Sequence, residues 1–289
     1  MTAAPGPYRR WLLAARLRTL PAALVPVALG AGLLRPLPLN WFNTVLCVVV
    51  ALALQIATNY ANDYSDGKRG TDAERVGPFR LTASKLVVPE RVKYVAWIWF
   101  LLAAVAGLML ASRTSWWLVL VGLSAILAGW FYTGGSKPYG YYGFGELFVL
   151  VYFGFVATVG TSYVQHRSVP SSAWWWGLAA GSMACALLES NNLRDIDGDR
   201  LTGKKTLAAR VGRRPAAWLY VACVVGVVVG SFVGGGVVPV VVALLVYQVG
   251  VRMAFSTRRG RELLPLLQVS ARAQLAVGAA ALVVFSVRG

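Results

Sequence analysis

The sequence predicts an all-α, polytopic membrane protein with nine spanning helices, and three observations carry that prediction. Of its 289 residues 57% are hydrophobic and only 13% are charged, with a mean hydropathy of +0.61. Apolar stretches of about 17–25 residues, the length that crosses a bilayer as a helix, recur along the chain. These stretches are continuous rather than alternating, so a lipid-facing barrel is excluded. The 28 Lys and Arg residues gather in alternate connections, as the bias of positive charge toward the cytoplasm requires.

Taken in order, the first span (18–34) follows the basic arm of Arg9, Arg10, Arg16 and Arg18. The second (41–61) runs into the polar segment Asn59–Asp72, and the third and fourth (94–111 and 116–133) flank Arg113. The fifth (144–164) follows a glycine-rich loop, and the sixth (173–190) opens on Trp174, Trp175 and Trp176, an interfacial belt. The seventh and eighth (215–233 and 236–252) are valine-rich, and the ninth is 272–287. Every Lys and Arg except Arg35, Arg113, Arg167 and Arg288 then falls on one side. This places the N-terminus in the cytoplasm and the C-terminus outside, in a multi-pass protein of the plasma (inner) membrane. The chain reads as one domain, 1–289.

The net charge of +17 is therefore a topology signal with contact to anionic lipid, rather than a nucleic-acid footprint. Cys47, Cys185 and Cys223 lie inside apolar spans without metal or redox spacing, and His166 is the single histidine. Histidine-based metal sites and His-dependent triads are excluded.

The aspartates carry the functional signal. All six fall in two clusters, Asp63/Asp66/Asp72 and Asp195/Asp197/Asp199, each at the end of an apolar stretch. Asn62-Asp63-x-x-Asp66 answers Asn191-Asn192-x-x-Asp195, a weak internal repeat that would bring two acidic helix ends face to face. If the helices continue through the motifs, Asp63 and Asp66 share a face, as do Asp195 and Asp199. Carboxylates bunched at helix C-termini repel one another and the macrodipole, and a divalent cation offsets both costs. Oxygen ligands from Asp and Asn suit Mg²⁺, which usually shares its shell with waters and substrate phosphates. Lys68, Arg69, Arg80, Lys137, Arg194, Lys204 and Lys205 add phosphate-seeking donors around the acids. Taken singly, each basic residue also fits an ordinary salt-bridged cytoplasmic loop.

The paired N-D-x-x-D and D-x-x-x-D motifs on such a chain resemble the intramembrane aromatic prenyltransferases, the UbiA superfamily. Within it, NDYSDGKRGTD, the YTGGSKPYGYYGFGE loop (Tyr132 to Glu146), NNLRDIDGD and the opening Arg16-x-Arg18-Thr19-Leu20-Pro21 are most similar to the bacterial 1,4-dihydroxy-2-naphthoate polyprenyltransferases. The resemblance covers nearly the whole chain. It implies a helical bundle around a central cavity, and Mg²⁺ as cofactor. It also implies a polyprenyl diphosphate and dihydroxynaphthoate as substrates within the lipid bilayer, giving demethylmenaquinone, diphosphate and CO₂. No obligate protein partner is expected.

Carried over by position, Asn62, Asp63, Asp66, Asp72, Asn192, Asp195 and Asp199 would hold metal, with Asp66, Asp195 and Lys137 central to catalysis. Arg18, Lys68, Arg69, Arg80, Tyr132, Lys137, Arg194 and Lys204 would bind the diphosphate or the naphthoate. Tyr60, Tyr64, Tyr132, Tyr139 and Phe153 are placed to line a prenyl tunnel or steady a cation. Two readings stand for Glu189, a hydrogen-bonded interior group or a proton handler, and Glu146 reads as a capping or paired loop acid. The alternatives are a UbiA-type enzyme with another acceptor and, in a different class, a cation-coupled transporter.

Overall fold

A computed structural model describes residues 6–33, 37–70 and 79–288. The short helix α1 (Pro7–Ala14) leads to Arg16, whose backbone is left-handed (φ 55°), and then to α2 (Pro21–Gly32). The two segments meet at a 50° bend. α3 (Trp41–Arg69) is capped at its start by Asn40, whose side chain accepts from the Asn43 amide at 3.0 Å. It ends at Gly70 in the left-handed conformation that closes many helices (φ 71°).

Next come α4 (Pro89–Arg113), α5 (Trp117–Phe131), α6 (Gly145–His166) and α7 (Ser171–Leu201). The short α8 (Leu207–Val211) precedes α9 (Arg213–Val233), α10 (Val237–Ala254) and α11 (Leu264–Arg288). No strand occurs among the described residues.

Among the described residues each of the nine apolar stretches is largely helical, but nine membrane crossings do not follow. Six helical segments among the described residues are long and apolar enough to span, and the bent α1–α2 pair adds a seventh if counted as one. The two other expected spans do not reach that length and apolarity, for different reasons. α5 has 15 residues, roughly 22 Å at 1.5 Å per residue, short of a bilayer core of about 30 Å. α7 has 31 residues, yet Glu189, Ser190, Asn191 and Asn192 interrupt its apolar character before the aspartates begin.

The helices pack as two halves. Trp176, Met183, Tyr220, Tyr247 and Leu266 centre a core of α7, α9, α10 and α11. Tyr60, Leu81, Val92 and Phe100 centre a second, joining α1, α3, α4 and the segment before α4. Where two helices are both surrounded by lipid, close van der Waals packing rather than hydrophobic transfer holds them together. α6 meets α7 in this way: a Cβ added at Gly154 would lie 2.6 Å from the Gly177 carbonyl oxygen and 2.8 Å from the Gly181 Cα. Gly154 sits in a π-helical turn, Leu150–Val156. Such widened turns gather at functional sites, and here Tyr152 and Phe153 from the turn line a cavity between the two halves.

Candidate functional site

Two adjoining cavities lie between the halves. The larger, about 310 Å³, is walled mainly by apolar side chains of α2 to α7. The smaller, about 100 Å³, is lined by Asn62, Asp66, Arg80, Tyr141, Arg194, Asp199 and Lys204 among others. Arg16, Asn62, Tyr132, Leu188 and Asn191 border both, so the polar chamber opens onto the apolar one across Tyr132.

The helices do continue through both motifs: α3 carries Asn62 to Arg69, and α7 carries Asn191 to Asp199. The acids nevertheless divide their tasks. Asp66, 1% exposed, takes the Tyr141 hydroxyl at 2.6 Å on one oxygen. Its other oxygen faces Arg80 at 3.3 Å and Lys204 at 3.2 Å. Asp63 does not share this setting, because both its oxygens accept backbone amides, from Leu81 at 2.8 Å and Thr82 at 3.0 Å. It ties the segment bearing Arg80 to α3. Gly67 permits that approach, since a Cβ there would lie 2.2 Å from the Thr82 methyl carbon.

On α7, Arg194 clasps Asp195 through two hydrogen bonds of 2.7 Å each. Asp199 accepts from Thr206 at 3.2 Å, and Asn192 donates to Glu146 at 2.9 Å. Asn62 accepts from Thr133 at 2.7 Å. Asp72 lies outside the described residues.

Several expected substrate-binding residues are displaced by local backbone geometry. Lys137 is exposed and lines neither cavity. The Gly140 amide donates to the Tyr132 carbonyl at 3.0 Å, closing residues 133–139 into an excursion with Lys137 near its tip. Tyr141 and Thr133 are the groups that this loop turns inward. Lys204 takes the inward position, because Gly203 (φ 74°) reverses the chain after α7 and the Lys204 amide returns to the Asp199 carbonyl at 2.8 Å.

Arg18 is likewise exposed, whereas Arg16, at the left-handed break between α1 and α2, borders both cavities. Lys68 is exposed, its ammonium 5.9 Å from the centre of the Tyr64 ring. Arg69 is also exposed and donates to the Thr133 and Gly135 carbonyls, stapling the loop rather than facing the chamber. Arg80, Tyr132, Arg194 and Lys204 stand where a ligand would meet them. Sequence reading missed Arg16, Tyr141 and Thr206 as lining residues; Arg16 was within reach, in the same motif as Arg18.

Lys204→Ala is expected to lower kcat/KM by about 10²–10³, as removal of one preorganised electrostatic group does. Lys137→Ala is expected to change it by less than about fivefold, the usual effect of an exposed charge. Steady-state kinetics on the two variants checks both.

The polar chamber is lined by four cationic side chains, Arg16, Arg80, Arg194 and Lys204, against two carboxylates, Asp66 and Asp199. That excess suits a polyanion. No group of three or more His, Cys, Asp or Glu side chains capable of holding a metal occurs among the described residues. Two separate carboxylates with the carboxamides of Asn62 and Asn192 are an all-oxygen set that fits Mg²⁺ completing its shell with water and phosphate. The apolar chamber is aromatic next to Tyr132: Tyr139 stacks on Phe148 at 3.9 Å and meets Tyr132 edge-on at 5.5 Å. The Tyr139 hydroxyl donates to the Ala128 carbonyl at 2.9 Å, and burial pushes its pKa well up, so it is a neutral wall residue.

The profile of the UbiA prenyltransferase family matches residues 23–267. The chain belongs to the UbiA prenyltransferase family. It is 44% identical over 273 residues to the 1,4-dihydroxy-2-naphthoate octaprenyltransferase of Mycobacterium tuberculosis, covering 93% of this chain and 94% of that one. Among solved structures, a UbiA homolog from Aeropyrum pernix superposes with a TM-score of 0.72 at 17% identity, covering 93% of this chain and 98% of that one. A UbiA homolog from Archaeoglobus fulgidus, bound to DMAPP and Mg²⁺, superposes with a TM-score of 0.64 at 16% identity, covering 96% and 99%. At such identities the structures establish a shared UbiA fold, and the two-chambered cavity is a property of this chain's own side chains.

Proposed function

We propose that this UbiA-family protein transfers a polyprenyl group from polyprenyl diphosphate to 1,4-dihydroxy-2-naphthoate, with loss of CO₂, in menaquinone biosynthesis. The observation that carries the reading is the division of one cavity into a cationic polar chamber and an apolar chamber that meet at Tyr132. An allylic diphosphate is divided in the same way, and the likeness to the mycobacterial naphthoate enzyme supplies the acceptor.

The diphosphate lies in the polar chamber against Arg16, Arg80, Arg194 and Lys204, which stabilise the negative charge that develops on the leaving group as the allylic C–O bond breaks. Asp66, Asp199, Asn62 and Asn192 would hold Mg²⁺, which supplies Lewis acidity toward the diphosphate oxygens when bound. Asp66 is held by Tyr141, and the Arg194–Asp195 pair orients the Arg194 guanidinium. Asp63 acts at one remove by anchoring the Arg80 segment.

Tyr132, with Tyr139 and Phe148 beside it, offers π faces to the positively charged allylic carbon. The rest of the apolar chamber keeps water from that carbon. The electron-rich naphthoate ring attacks through its carboxyl-bearing carbon; the new C–C bond forms, the C–carboxylate bond breaks, and its electron pair restores aromaticity. No oxidant is needed, so the immediate product is the quinol form of demethylmenaquinone.

α5 packs along α3 and α4, whereas α6 packs along α2 and α7, and the chamber runs between α5 and α6. That gap is the route by which a long isoprenoid tail enters from lipid. The segregation of positive charge supports a plasma-membrane placement with the polar chamber and the N-terminus on the cytoplasmic side.

The test is product formation by purified protein in detergent with a polyprenyl diphosphate and either dihydroxynaphthoate or 4-hydroxybenzoate, with and without EDTA. The expected result is a prenylated naphthoquinol that disappears on chelation, and no benzoate product. Prenylation of 4-hydroxybenzoate alone would keep the enzyme class and replace the acceptor.

A further inference from the structure

Glu146 stands in the first turn of α6, outside the set of residues that line the polar chamber. Its carboxylate accepts the Asn192 carboxamide at 2.9 Å. A carboxylate oxygen only accepts, so Asn192 must present its NH₂ to Glu146 and direct its carbonyl oxygen the other way. Asn192 lines the polar chamber. Glu189, three residues before Asn192 and on the same face of α7, is fully buried. Glu146 and Asn192 are polar neighbours of that acid. The Glu146 acceptor by itself sets which way the Asn192 carboxamide is turned.

We infer that Glu146 is a positioning residue that fixes the Asn192 carboxamide so that its carbonyl oxygen faces the ligand in the polar chamber. Donation of the NH₂ to a carboxylate also polarises the amide and enriches its oxygen in electron density, the effect an acid behind a ligating group has at metal sites. The inference rests on the proposed reading of the chamber as the site of a metal-bound diphosphate.

The test is calorimetric titration of the full-length protein in detergent with Mg²⁺ and inorganic diphosphate, alongside thermal unfolding of each variant. Glu146→Ala is expected to weaken binding by about 10–100-fold. Glu146→Gln, whose amide oxygen still accepts from Asn192, is expected to stay within about fivefold of wild type. Asn192→Asp sets a second carboxylate against Glu146 and is expected to bind poorly, while the double variant Asn192→Asp/Glu146→Gln regains at least about tenfold, the signature of direct coupling. Glu146→Ala binding like wild type, or a double variant no tighter than Asn192→Asp, overturns the inference. If Glu146→Ala does not fold, the comparison between those two Asn192→Asp variants still decides. Absence of binding by the wild type would remove the diphosphate reading itself, whereas wild-type binding with indifferent variants removes Glu146 alone.

Discussion

Asp66→Asn is expected to lower kcat/KM for prenyl transfer by at least about 10²–10³, the loss that follows removal of one preorganised charge at a reacting centre. Asp66 is 1% exposed and is in direct contact with Tyr141, Arg80 and Lys204. Asparagine keeps the shape and can still accept from Tyr141, but it removes the negative charge that faces two buried cations. A broken buried ion pair costs about 3–5 kcal/mol, so the melting temperature should fall as well. The two effects separate in one experiment: kinetics at a temperature where circular dichroism shows the variant fully folded. An active, folded Asp66→Asn protein would show that the chamber is structural.

The second large effect concerns the other end of the substrate. Gly107, Gly122 and Gly160 line the apolar chamber, and a Cβ added at any of them meets nothing within 4 Å. Side chains there would fill the chamber rather than disturb the fold. Gly122 lies on α5, roughly 15 Å along the helix from Tyr132 at 1.5 Å per residue, so Gly122→Phe should leave geranyl diphosphate almost unaffected. For donors whose tails reach past it, exclusion of one five-carbon unit at about 0.8 kcal/mol per carbon predicts a fall in kcat/KM of about 10² or more. Equal loss with short and long donors would place the isoprenoid elsewhere.

Much of this fold is written in the hydropathy of the chain. Long apolar stretches specify helices unambiguously, and motif residues at helical spacing continue those helices to Arg69 and Leu201. What hydropathy does not determine is whether a helix crosses. α5 has 15 residues, and α7 gives up apolar length to Glu189 and the asparagines, so neither carries the length and apolarity that mark a span.

At the site, acids were legible as a group and not as individuals. Asp63 and Asp66 sit three residues apart on one helix, yet the first is taken by the amides of Leu81 and Thr82, a contact between segments that spacing cannot show. Choices between neighbouring bases were decided by backbone reversals. The left-handed turn at Arg16 selects it over Arg18, and the excursion closed by Gly140 sends Lys137 outward, while Gly203 folds Lys204 back onto Asp66. Of these, the Gly-Lys pair after a helix end was readable as a reversal, because glycine just past a helix C-terminus favours the left-handed conformation.

The central claim is prenyl transfer at the carboxyl-bearing carbon of dihydroxynaphthoate. It is tested most directly with an acceptor carrying ¹³C in its carboxyl group, turned over by wild-type protein with a polyprenyl diphosphate, with CO₂, diphosphate and organic product counted together. The account predicts one labelled CO₂ for each diphosphate released and a prenylated naphthoquinol without label. A prenylated product that keeps its ¹³C carboxylate, or diphosphate released with no CO₂, would contradict it.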